Sequence, residues 1–125
     1  MHRTLVAVVL AALLAGCGGS SSNGKETGSA LAEGPPGAQT VTVGMHDNLT
    51  FAPSTVNAKV GSLTITVTND GQVPHNLTFA DGALGKTKTV DGKQSVPLKV
   101  VFDKAGTFRF TCTFHSGMVG KVVVS

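Results

Sequence analysis

The chain has 125 residues, with 10 Lys and Arg against 7 Asp and Glu, six Phe and neither Trp nor Tyr. Its net charge of +3 is dispersed, which excludes the basic stripe of a nucleic-acid-binding domain, and only Phe is present to stack on bases. The length suits one domain, and a small one once an irregular N-terminal part is set aside.

Residues 1–17 read MHRTLVAVVLAALLAGC: a cationic start at Arg3, then an apolar run from Leu5 to Ala15. That run has the length of a secretory h-region and is too short to span a bilayer. Leu14-Ala15-Gly16-Cys17 resembles the bacterial lipobox, so Cys17 is the expected lipidation site. The protein is then expected outside the cytoplasm, in the periplasm or at the cell surface, anchored to a bacterial membrane. The alternative, a buried N-terminal helix, fits poorly with the Gly/Ser tract that follows at once. Two Cys in an exported protein ordinarily suggest one disulfide, but lipid on Cys17 leaves Cys112 without a partner. Such a thiol is either inertly buried or committed to chemistry.

Residues 18–39, GGSSSNGKETGSALAEGPPGAQ, are rich in Gly, Ser and Pro without hydrophobic periodicity. They read as a flexible tether with ends on the order of 25 Å apart. From residue 40 to 125 the period becomes two, the signature of strands with one face buried. Val41, Val43 and Met45 share one face, as do Leu63, Ile65 and Val67, whose threonine neighbours take the other. In HNLTF the rule puts His75 with Leu77 and Phe79, and further on it groups Val96, Leu98, Val100 and Phe102 opposite Lys99. In the last such segment Phe108, Phe110 and Cys112 point inward. Asn69-Asp70-Gly71, Asp81-Gly82, Asp91-Gly92 and Lys104-Ala105-Gly106 punctuate these runs. Many short strands and no amphipathic helix predict an all-β fold, a small Greek-key β-sandwich or barrel.

Taken singly, His75 reads as a core histidine bonded to a carbonyl, Cys112 as a small buried hydrophobe and Met118 as filler. Together with His115 they fall at strand ends and loops able to converge at one end of a sandwich. Two imidazoles and a thiolate, with a thioether at longer range, form a soft set suited to copper. Structural zinc prefers four strong ligands, and His46, in the turn MHDN, reads as a solvent-exposed turn residue and not as a fourth. Cys112 closes a strand, two residues return the chain to His115, and Gly117 permits the bend that brings Met118 beneath.

At residues 40–125 the sequence resembles the cupredoxins, the type 1 blue-copper family of plastocyanin, azurin and pseudoazurin. CTFHSGMVGKVVV carries the compact Cys-x-x-His-x-x-Met loop and the Gly-Lys-Val strand of amicyanins, with Ser116 where those have Pro, and VPHNLTF resembles the upstream ligand segment. The resemblance implies one copper ion held by His75, Cys112 and His115, with Met118 as a weak axial ligand. It also implies that Asn76 and Thr113 tie the two ligand loops together. The function expected is single-electron transfer between redox partner proteins, by a monomer that binds no nucleic acid and is not an enzyme. The alternative is an extracytoplasmic lipoprotein that stores or passes on copper. Neither the exposed Met-rich or His-rich tracts of copper transport proteins nor the extra histidines of copper enzymes are present, since only His46 and His2 remain.

Overall fold

The computed structural model describes residues 26–125, so the segment 1–17 with Cys17 and residues 18–25 of the expected tether lie outside the described residues. Nine strands follow in chain order: β1 (Ser29–Leu31), β2 (Gln39–His46), β3 (Thr50–Ala52), β4 (Thr55–Ala58), β5 (Gly61–Asn69), β6 (Thr78–Phe79), β7 (Ser95–Phe102), β8 (Gly106–Thr111) and β9 (Val119–Val124). They build two sheets, in the orders β1-β4-β9-β8-β6 and β3-β2-β5-β7. Both sheets are mixed: β1, β4 and β9 run parallel in the first, β2 and β5 in the second. A 3-10 turn at Gly82–Leu84 is the only helical element among the described residues, and none of their helices is long and apolar enough to cross a membrane.

Period-two alternation decides which side chains meet between the sheets. Val43, Met45, Leu63, Ile65, Val67, Val100 and Phe102 from one sheet face Val56, Phe79, Phe110, Val122 and Val124 from the other. The centre is aromatic: Phe110 packs edge to face on Phe51 and Phe79, with ring centroids 4.9 and 5.7 Å apart. Gly120 makes room for it, because a Cβ there would collide with the Phe110 ring and stand 2.9 Å from the Ser54 carbonyl. Of the six Phe, only Phe114 stands largely in solvent, at 52% exposure.

The tether expected over residues 18–39 ends earlier than its composition suggests. Ser29–Leu31 pair with Thr55–Asn57 as a parallel edge strand, and Ala32 N–H donates to the Asn57 carbonyl at 2.8 Å. The inward-facing residues here are Ala30 in β1 and Ala32 just after it, too small to leave a hydrophobic signature, so a Gly/Ser/Pro reading hides the strand. Gln39, also expected in the tether, is buried, and its side-chain amide both donates to the Lys59 carbonyl at 2.9 Å and accepts from the Lys59 N–H at 2.8 Å.

Strand polarity gives the sandwich two distinct ends. β2 and β5 finish, and β7 and β9 begin, at what we call the upper end. The β1–β2 and β4–β5 connections and the turn at residues 103–105 lie at the lower end. The upper end carries the turns at 47–49, 70–74, 91–94 and 113–118.

Candidate metal centre

Each donor residue at the upper end is placed by backbone bonds that its own loop makes. His75 forms an isolated bridge with Val90, its N–H donating to the Val90 carbonyl at 3.2 Å and its carbonyl accepting from Val90 N–H at 2.8 Å. Cys112 follows β8, and its N–H donates to the Met118 carbonyl at 3.0 Å. Met118 N–H in turn reaches the His115 carbonyl at 3.3 Å, closing a tight turn in which Gly117 takes a φ of 79°. That left-handed conformation is cheap for glycine and strained for most other residues.

The sequence rule holds at these positions: His75 and Cys112 point inward and are buried, Met118 is buried beside them, and His115 is half-buried. The Cys112 Sγ lies 3.8 Å from His75 Nδ1 and 3.5 Å from His115 Nδ1, and the three donor atoms fall within 4.8 Å of one another. Two ligands on one ion, at bond lengths of about 2.0 Å to nitrogen and 2.3 Å to sulfur and a tetrahedral to trigonal angle, stand about 3.6 Å apart. The residues therefore fit a single soft metal ion. Burial, followed by the neighbouring His115, lowers the His75 pKa, which favours the neutral imidazole that a metal requires. Its Nε2 is buried without a hydrogen-bond partner.

Asn76 and Thr113 meet as expected and join the two donor loops. The Asn76 amide donates to Thr113 Oγ1 at 2.6 Å and accepts from Thr113 N–H at 3.0 Å, while Thr78 Oγ1 donates to its Oδ1 at 3.1 Å. The Asn76 backbone N–H points at Cys112 Sγ from 3.5 Å, which ties the His75 segment to the sulfur. His46 is not part of the cluster: it ends β2, partly exposed, with Nδ1 3.8 Å from Asp70 Oδ2. Cys17 lies outside the described residues.

Two supporting residues escape the sequence reading. Asn69, read there as turn punctuation, is fully buried, and its amide donates to the carbonyls of Val73 and Val90 at 2.7 and 2.9 Å. It thereby fixes both sides of the bridge that holds His75. Asp47 accepts from the N–H groups of Gln72 and Val73 at 2.8 and 3.0 Å, and these bonds, Val73's foremost, hold its carboxyl below the usual 3.8. An Asx residue in a Gly-containing turn was the only signal for the first, and the second had none.

Comparison with known proteins gives a consistent picture. The family described as "Cupredoxin-like domain" matches residues 6–124. Amicyanin-alpha of Methylorubrum extorquens is 33% identical over 121 residues, covering 94% of this chain and 98% of that one. Amicyanin of Paracoccus denitrificans is 35% identical over 79% of this chain and 74% of its own. Among solved structures, a reduced Cu(I) form of an amicyanin variant superposes with a TM-score of 0.57 at 30% identity, covering 69% of this chain and 82% of that one. Auracyanin A, a "blue" copper protein of Chloroflexus aurantiacus, gives a TM-score of 0.64 over 71% of this chain and all of its own, and at 19% identity it supports the fold alone. The sandwich, the order of donor residues along the chain and these matches agree: the chain belongs to the cupredoxin family.

Proposed function

We propose that this protein is an exported, membrane-tethered blue-copper protein that carries single electrons. The observation that carries the reading is the convergence of Cys112 Sγ and one ring nitrogen each of His75 and His115 within 4.8 Å at one end of the sandwich. In this reading those three residues would hold the copper most strongly, and the buried Met118, whose backbone bonds to Cys112, would add a weaker thioether ligand. Copper bound there supplies one-electron chemistry between Cu(I) and Cu(II), which a soft, nearly trigonal donor set suits in both states.

The chain's own residues provide the rest. His75, Cys112 and Met118 are buried, so the site is largely withdrawn from water. The Asn76–Thr113 pair and the Asn69 amide restrain the two donor loops, so little can rearrange when the charge changes. His115 is the donor nearest solvent, and exposed Phe114 stands beside it with ring centroids 6.4 Å apart, a short route for an electron to leave. Carriage between partner proteins outside the cytoplasm is supported by the amicyanin relatives, and the anchor by the Leu14-Ala15-Gly16-Cys17 sequence.

The test is the visible spectrum and voltammogram of the copper-loaded protein. An intense blue band from thiolate-to-copper charge transfer, lost in Cys112→Ser while the domain stays folded, and a reversible one-electron wave are expected. Tight Cu(I) binding without a reversible wave would instead identify a copper store, and an unchanged spectrum in Cys112→Ser would remove the site.

A further inference from the structure

The polarity of β1 decides which end of the domain an anchor holds, an inference that rests on the reading of Cys17 as the lipidated residue. Had the fold begun at β2, the tether would join Gln39 at the lower end, away from the donors. Instead β1 lies parallel to β4 and β9, with Ser29 opposite Thr55 and Thr55 opposite Lys121, so β1 starts toward the upper end and runs down. The residues before it continue upward. Thr55 N–H donates to the Gly28 carbonyl at 3.2 Å, and Thr27 N–H donates to Ser54 Oγ at 3.0 Å. The Thr27 hydroxyl donates to the carbonyl of Phe51, which pairs with Met45, one residue before β2 ends. The chain therefore enters the fold at the end that carries His75, Cys112 and His115.

Length makes this placement consequential. From Cys17 to Glu26 the chain advances 26 − 17 = 9 residues, a reach of at most about 32 Å when fully extended. The nine residues of β5 make the sandwich about 30 Å long. To rest the lower end on the bilayer with the donors outermost, the tether would have to be drawn out almost completely along the side of the domain. A less extended tether limits how far the upper end can rise from the membrane, and so biases that end toward it.

We propose that the anchored domain turns its upper end, with His115 and exposed Phe114 and Leu49, toward the bilayer, and that it exchanges electrons with a redox protein seated in that membrane. The test uses full-length lipidated protein with its copper reduced to Cu(I), in phosphatidylcholine nanodiscs containing a headgroup-spin-labelled lipid. Amide signals of Leu49, Gln72, Phe114 and Ser116 are expected to be lost at label levels that spare Lys59, Val60, Lys104 and Ala105. Inserting about twelve Gly/Ser residues between Lys25 and Glu26 should shrink that contrast, because a longer coil loosens the coupling of the two ends. Equal loss at both ends, heavier loss at the lower end, or a contrast the insertion does not change would overturn the proposal and leave the electron-carrier reading intact. Mass spectrometry showing Cys17 without lipid would overturn the anchor reading, and this proposal with it.

Discussion

Replacing Asn76 by Ala tests whether the clamp between the donor loops is a structural necessity of the upper end. The side chain makes three hydrogen bonds, two with Thr113 and one with Thr78. At about 1 kcal/mol net for each, their loss would cost about 3 kcal/mol. Thr113 is exposed and Thr78 half-buried, so water recovers part of that, and the expected loss is about 2 kcal/mol. For a domain of this size that lowers Tm by on the order of 10 °C. Calorimetry of wild type and variant without copper gives the number directly. The Asn76 backbone N–H still faces Cys112 Sγ after the substitution, so the copper-loaded variant should keep its blue band while losing stability. A Tm within about 3 °C of wild type would mean a cost well under 1 kcal/mol and would refute the view that this side chain holds the loops together.

If Met118 is the weak thioether ligand proposed above, Met118→Leu should retain copper and raise the reduction potential, because losing that donor would destabilise Cu(II) more than Cu(I), whereas Met118→Gln should lower it; a potential indifferent to both, by voltammetry, makes Met118 mere packing. Gly120→Ala should lose about 1–3 kcal/mol in urea unfolding, because the new methyl displaces the buried Phe110 ring and presses on the Ser54 carbonyl. Asp47 has a folded pKa below its ordinary 3.8, so its contribution to stability is complete well above 3.8 and disappears as pH falls below that value through the lower folded one. Asp47→Asn should therefore flatten the acid-side decline of Tm, and an unchanged slope below pH 3.8 would assign that decline to other carboxyls.

Much of the fold was legible because β-strands write their burial into every second residue. Leu63, Ile65 and Val67 are buried as the alternation requires, and the same rule turns His75 and Cys112 inward, where both are buried. The Cys112 to Met118 segment was legible for another reason: three donors within one short turn leave few ways to arrange them. β1 was not legible. Ala30 within it and Ala32 just after carry little hydrophobic signal, and its pairing partner, starting at Thr55, lies 55 − 29 = 26 residues on, beyond any local pattern. The roles of Asn69 and Asp47 were hidden similarly, because a side chain that bonds the backbone of a distant loop leaves no periodic trace.

The outer strands of the two sheets also govern how copies of the domain can meet. β1 and β3 have three residues each and β6 two, so three of the four edges are too short to template another strand. The fourth, β7, has eight residues, but Pro97 has no N–H to offer and Lys99 adds a charge. Backbone ladders between molecules are thus discouraged on every side, even where many copies crowd together. Encounters are left to side-chain surfaces, which separate readily, as suits a protein that must release its partner after each electron.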